Sequence, residues 1–183
     1  MHWLRRVLGG PAQPPYAAGD SPPELAADLI ETEQMAAELV DYLLGNRLFR
    51  QIVVETPAGP RRPKMTLGGL YERIQALSAA AALGPGDRRR LAQVVEAWEA
   101  ARRRYPDQVQ EKVQRELQSF LQSWKYYLAQ RATNPERWQE EYEVESRNRQ
   151  RVLTVLRLLG PAAPAGLIED LAALEEESVV SGQ

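Results

Sequence analysis

The chain has 183 residues, a length typical of one domain and sufficient to bury a hydrophobic core without disulfides or metals. It contains no cysteine, which excludes thiolate catalysis, zinc fingers, iron–sulfur ligation and disulfide scaffolds. The only histidine is His2, at a terminus that is expected to fray, so imidazole catalysis and histidine-ligated metals are disfavoured and no cofactor is expected. The net charge of −2 indicates no class of partner.

No apolar run approaches the roughly 18–20 residues that span a bilayer, and the first eight residues lack the apolar length of a secretory signal. We therefore expect a cytoplasmic protein. Arginine outnumbers lysine by 20 to 3, a bias that suits phosphate recognition but also accompanies the abundant alanine, glycine and proline of a GC-rich genome. The lack of cysteine and the few asparagines would fit a heat-adapted source.

The elements begin with an irregular N-terminal arm over 1–20, predicted because residues 9–23 are rich in glycine and proline. The arm opens with a small apolar patch that could contact the body of the protein or a partner, formed by Trp3, Leu4, Val7 and Leu8. The first helix is predicted at 22–44. It starts with a capping-box pattern, Ser21 and Glu24, with proline at the first helical position.

A β-hairpin is predicted at about 48–66. Its first strand contains the β-branched run Ile52–Val54, and the prolines and glycine of 57–60 form the turn. Pro63 limits the second strand to the edge of a sheet. Because a two-stranded hairpin is barely stable alone, it must lie on the helices or on another chain.

Further helices follow, each with a start signal and apolar residues at helical spacing. They are predicted at about 67–83 after Thr66, at 87–104 from Asp87, at about 107–131 from Asp107, from Asn134 to about 159, and at 164–177, with a disordered tail at 178–183. The inward face of the helix that ends near 159 is predicted to carry Trp138, Tyr142, Val152, Leu153, Leu156 and Leu159.

The short corners between these helices predict antiparallel neighbours. The predicted fold is therefore mainly α: an antiparallel helical bundle of four to five helices in one domain, 21–177, with the β-hairpin inserted between the first two helices.

Charge is strongly segregated along the chain. Residues 21–44 hold six acidic residues and no basic one, whereas the hairpin and the helix at 87–104 are rich in arginine. One hypothesis is an anion or nucleic-acid site on this basic region, formed by Arg50, Arg61, Arg62, Lys64, Arg88 and Arg89. The alternative, which we favour, is that the basic hairpin lies near the acidic first helix and is neutralised within the fold. Arginines near a helix start oppose the helix dipole, and a ligand or acidic surface there would explain them.

A polar pocket is the second candidate site. Glu145 and Arg149 interrupt an apolar seam near Trp124 and Tyr142, and they could line a pocket. The favoured alternative is a structural ion network that joins them to Glu116. No metal site is expected, because the carboxylate clusters lack the paired histidines of helical metal sites.

The function predicted from these observations is that of a non-catalytic interaction or scaffold protein. Its contact surfaces would be the apolar patch at 3–8 and the hairpin edge at 48–56, with a partner protein or a second copy of the chain as the ligand. Nucleic-acid or phosphate binding through the basic region is the alternative. No spacing of residues indicates an enzymatic reaction.

Overall fold

The computed structural model describes residues 21–130 and 133–160 together with Gly166 and Glu169, apart from the side chains at 135 and 137. The described chain is mainly α, as predicted. Its helices are α1 (Pro23–Ala37), α2 (Leu39–Leu44), α3 (Leu67–Ala79), α4 (Pro85–Arg104), α5 (Pro106–Gln130) and α6 (Pro135–Leu159). Its strands are β1 (Arg50–Gln51), β2 (Val54–Thr56), β3 (Gly59–Arg61) and β4 (Lys64–Met65).

The chain forms two compact units, one within Met1–Val109 and one within Gln110–Gln183. The first contains α1–α4 and the four strands, and the second contains nearly all of α5 and α6. The predicted arm at 1–20, the tail at 178–183 and most of the last predicted helix lie outside the described residues. Of that helix, Gly166 and Glu169 are described, and both are helical and exposed.

The first predicted helix is two helices in the structure. α1 ends at Ala37, and Glu38 separates it from the short helix α2. The predicted capping box is wrong, because Pro22 is the N-cap residue and makes no side-chain cap. The Ser21 hydroxyl instead accepts a hydrogen bond from the backbone N–H of Gly84 at 2.9 Å, which ties the start of α1 to the start of α4.

The predicted hairpin between the first long helix and α3 is present. β2 pairs with β3 and β1 with β4, both antiparallel, and the N–H of Ile52 donates to the carbonyl of Pro63 between the two pairs. The turn needs Gly59, whose φ of +102° is a conformation that side chains with a Cβ rarely adopt. One face of the hairpin is buried, through Ile52, Val54 and Met65.

Thr66 caps α3 as predicted, because its hydroxyl accepts a hydrogen bond from the N–H of Gly69 at 2.9 Å. Two other predicted caps are wrong. α4 begins at Pro85 after Gly84, so Asp87 lies in its first turn, and Asp107 lies in the first turn of α5. The core of this unit includes one cluster that joins α1, α3 and α4, formed by Leu29, Leu77, Leu83 and Leu91.

The second unit is built on a helical hairpin. Three contacts show α5 and α6 running antiparallel: the Tyr127 hydroxyl donates to the carbonyl of Trp138, Ser123 bonds Glu145, and the Arg151 guanidinium lies over the Phe120 ring. The apolar residues at helical spacing along α5 are buried from Val113 to Trp124, with Leu117, Phe120 and Leu121 between them.

The inward face predicted for α6 is partly wrong. Val152 and Leu159 are buried, but Leu153 and Leu156 are only half-buried, and the positions between them, Thr154 and Val155, are buried instead. Tyr142 is exposed over 53% of its surface rather than inward.

Replacing Thr66 with alanine is expected to lower the free energy of unfolding by about 1 kcal/mol, because the amide of Gly69 loses its acceptor. Thr66→Ser keeps the hydroxyl and should lose less. Ser78→Ala is a control on the same helix, since its exposed hydroxyl only bonds the carbonyl of Ile74. Urea unfolding measures all three, and equal losses for the two Thr66 variants would contradict a capping role.

Candidate functional site

Three carboxylates of α1 lie on one face of the helix. Glu24, Asp28 and Glu31 are four and three residues apart, a spacing that places successive side chains above one another. Glu24 is well exposed, Asp28 is partly exposed, and the side chain of Glu31 is only 4% exposed. A carboxylate as buried as Glu31 requires charged partners.

Arg61, on β3, provides the first partner by binding all three carboxylates. Its Nη1 donates to Asp28 Oδ1 and to Glu31 Oε1, each at 2.9 Å, and its Nη2 donates to Glu24 Oε2 at 2.5 Å. The hydrogen bond to Glu31 is the largest influence on the guanidinium, and it raises the pKa of Arg61 further above its ordinary range. Arg61 is therefore charged at every pH at which the protein is folded.

Arg73, on α3, provides the second partner. Its Nη2 lies 2.6 Å from Glu31 Oε2, and its Nη1 lies 3.7 Å from Asp28 Oδ1. The two oxygens of Glu31 are thus each paired with a different arginine, one from the hairpin and one from a helix. We call these five side chains, Glu24, Asp28, Glu31, Arg61 and Arg73, the α1 ion cluster.

Two further acidic residues of this region pair with arginines from other elements. Arg90, on α4, donates to both oxygens of Glu33 at 2.8 and 2.5 Å, and it also bonds Asp87 at 2.8 Å. Arg50, on β1, forms an ion pair with Glu38 at 2.8 Å. Neutralisation of the basic hairpin within the fold, the interpretation favoured from the sequence, therefore applies to Arg50 and Arg61. Each forms an ion pair with an acidic residue of 21–44.

Arg88 has a structural role that the sequence did not reveal. Its guanidinium donates to the carbonyls of Leu83 at 3.0 Å, Ala80 at 3.1 Å and Ala81 at 3.2 Å, in the segment that follows α3. A backbone carbonyl needs a hydrogen-bond partner. Arg88 therefore opposes the dipole of its own helix but contributes hydrogen bonds to carbonyls of the segment between α3 and α4.

The other predicted anion-binding residues, Arg62, Lys64 and Arg89, are exposed. Arg62 and Lys64 lie on the solvent side of the hairpin, and the Nζ of Lys64 lies 5.9 Å from the centre of the Phe49 ring. We call this surface the hairpin outer face, which is formed by the exposed side chains of Phe49, Gln51, Val53, Glu55, Pro60, Arg62 and Lys64. Of the six predicted cations, three bind groups within the fold, Arg50, Arg61 and Arg88, and the other three are exposed to solvent.

The residues of the predicted polar pocket are joined in a different way. Trp124, Tyr127, Trp138 and Tyr142 form a ladder of rings, with successive centroids 5.3, 5.3 and 5.8 Å apart, that runs from the buried Trp124 to the exposed Tyr142. Glu145 accepts hydrogen bonds from Ser123 at 3.2 Å and from the Asn148 amide at 2.9 Å. Arg149 is half-buried on the same helix. Glu145 is thus bonded to the residue next to Trp124, and the pocket among the four residues stays a prediction.

Lys112 and Glu116, on α5, are two buried charged residues one helical turn apart. Lys112 is 3% exposed and Glu116 is fully buried. Burial lowers the pKa of the Lys112 ammonium below 10.5, and the nearby charge of Arg115 acts in the same direction. Glu116 was predicted to join an ion network, but the burial of Lys112 was not predicted. Its position four residues before Glu116, on the same face of the helix, could have indicated that it is buried as well.

Within 21–130 and 133–160, no group of three or more histidine, cysteine or acidic side chains is arranged to hold a metal ion. In the same ranges, every helix is too short or too polar to cross a bilayer.

Replacing Glu31 with alanine is expected to lower the free energy of unfolding by about 3 kcal/mol, because it leaves Arg61 and Arg73 close together without their shared buried carboxylate. Glu24→Ala is the matched control, since it removes an exposed carboxylate from the same arginine and should cost less than about 1 kcal/mol. Guanidinium or urea unfolding measures both variants. Similar losses would show that burial of Glu31 adds nothing to the cluster.

The lowered pKa of Lys112 predicts that the free energy of unfolding depends on pH. At a pH between its folded pKa and 10.5, the unfolded chain holds a proton that the folded chain has released, so stability rises with pH through that window. The difference in unfolding free energy between the wild type and Lys112→Met should therefore become more favourable to the wild type as the pH approaches 10.5. Denaturation at several pH values measures it, and a difference independent of pH would contradict it.

Comparisons of the chain with protein-family models, with curated proteins and with solved structures find no match.

Proposed function

We propose that the protein is a non-catalytic, cytoplasmic interaction or scaffold protein that contacts a protein partner through the hairpin outer face. The observation that carries the proposal is the exposure of two large apolar side chains on the first arm of the hairpin, residues 49–56. Val53 is 61% exposed and Phe49 is 39% exposed, whereas Ile52 and Val54, between and beside them, are buried.

The hairpin is held firmly enough to present these side chains. A two-stranded hairpin is marginal in isolation, but this one is held at two points, by Arg61 within the α1 ion cluster and by Arg50 at Glu38, the residue that follows α1. A surface that is already ordered loses little conformational entropy on binding. This arrangement suits a docking surface better than it suits a mobile loop.

The non-catalytic part of the proposal is supported by how the carboxylates of α1 are used. Glu24, Asp28 and Glu31 form an acidic group on one helix face, and all three are bound to arginine. Their ion pairs join α1 to the hairpin, which is a structural use of these acids.

Nucleic-acid binding is the second candidate. It is supported by the exposure of Arg62, Lys64 and Arg89. We rank it lower because Arg50, Arg61 and Arg88, half of the predicted cationic set, bind groups within the fold.

Affinity purification of the tagged full-length chain from its native host under mild salt tests the proposal. Phe49→Ser combined with Val53→Thr is expected to reduce a specific co-purifying protein at least tenfold, because exposed apolar side chains near the centre of an interface commonly dominate its binding energy. Both changes are on the surface and should leave the unfolding midpoint nearly unchanged.

Tyr126→Ser is the matched control, because Tyr126 is 60% exposed but lies in the second unit, and its capture should equal that of the wild type. Equal capture by the Phe49/Val53 variant would contradict the proposal. Recovery of nucleic acid that is lost at higher salt and in an Arg62→Ala, Lys64→Ala variant would support the second candidate instead.

A further inference from the structure

The hairpin outer face alternates apolar and basic side chains. The register places Gln51 opposite Lys64 and Val54 opposite Arg61, so Val53 lies beside Arg62. Lys64 reaches back over the ring of Phe49. Phe49 and Val53, the exposed apolar residues of the first arm of the hairpin, therefore each have an exposed cation next to them. A complementary ligand would carry apolar groups flanked by carboxylates.

One segment of the chain itself has this chemistry. Residues 164–177 contain four large apolar residues at helical spacing, five acidic residues and no basic one. The apolar residues are Leu167, Ile168, Leu171 and Leu174, and the acidic residues are Glu169, Asp170, Glu175, Glu176 and Glu177. Glu169 is exposed in the structure, so its carboxylate is accessible to a partner.

We infer that the hairpin outer face binds residues 164–177 of a second copy of this chain. The inference rests on the proposed function and names the partner of that surface. The apolar residues of the segment cover Phe49 and Val53, and its carboxylates pair with Arg62 and Lys64. In a dimer with two-fold symmetry each copy would present its hairpin outer face to the other copy's segment, so that both surfaces are covered.

The experiment uses two full-length variants with opposite changes. In the first, Arg62→Glu and Lys64→Glu make the hairpin outer face acidic. In the second, Glu169→Lys and Asp170→Lys make the segment basic. The wild type is expected to show a concentration-dependent rise in mass towards a dimer by light scattering. Each variant alone opposes like charges at both contacts, and its dimerisation should weaken by about tenfold or more.

The mixture of the two variants distinguishes this contact from any other. In a mixed pair, the acidic face of one copy meets the basic segment of the other, and the unchanged face and segment also match. We therefore expect the mixture to recover dimers that neither variant forms alone. Arg89→Glu with Arg103→Glu is the control, because it makes the same change in charge at exposed positions outside the hairpin and should dimerise like the wild type.

A wild type that stays monomeric at all concentrations would overturn the inference, as would full dimerisation of either variant alone or failure of the mixture to dimerise. The proposed function has a separate outcome. If Phe49→Ser with Val53→Thr still removes a different co-purified protein, the surface binds proteins and only the assignment of its partner is wrong.

Discussion

Glu31 is the residue on which the first unit of this protein depends. A carboxylate with 4% of its side chain exposed would be costly to bury alone, but each of its oxygens lies within hydrogen-bond distance of a different guanidinium. The two guanidiniums come from β3 and α3, which are separated in sequence by β4. One buried anion therefore fixes the hairpin and a helix against α1. The hydrophobic cluster around Leu29 and Leu91 joins α1, α3 and α4 and contains no residue of the hairpin. The charged contacts have directional geometry, and they orient the hairpin on α1.

Arginine is suited to these contacts in a way that lysine is not. Arg61 reaches three carboxylates with two nitrogens, Arg90 bonds both oxygens of Glu33, and Arg88 bonds three carbonyls. Each contact uses the planar, multidentate geometry of a guanidinium, whereas an ammonium is a single point of charge. The excess of arginine over lysine, which the composition alone could assign to genome bias or to phosphate binding, has a third explanation in these internal contacts.

The features that were predicted correctly from the sequence are those that depend on contacts between residues close together in the chain. The cap at Thr66 lies three residues from the amide that it binds, and the hairpin follows from a β-branched run and a glycine turn. The segregation of charge also indicated that the hairpin could lie near the acidic helix. The individual ion-pair partners could not be predicted from local signals. Arg61 is 30 residues from Glu31, and many other arginines could have been its partner.

The errors have identifiable causes. The helix start near 85 was assigned to Asp87 although Pro85 supplies the stronger signal for the first helical position. Continuing the apolar stripe of α6 from Trp138 to Leu159, over about six turns, places Tyr142 inward, but the buried apolar positions are Val152, Val155 and Leu159. Ser21 was read as a local cap, but its hydroxyl binds an amide 63 residues away, and no pattern of spacing reports such a contact.

The α1 ion cluster also constrains how the sequence can diverge. Loss of Glu31 or of either partly exposed arginine leaves the others with an uncompensated charge, so substitutions at Glu31, Arg61 and Arg73 are expected to be tolerated together more readily than singly. The joint presence of an acid at Glu31 and arginines at Arg61 and Arg73 should therefore outlast overall similarity, and it offers a fingerprint for finding distant relatives whose sequences no longer align.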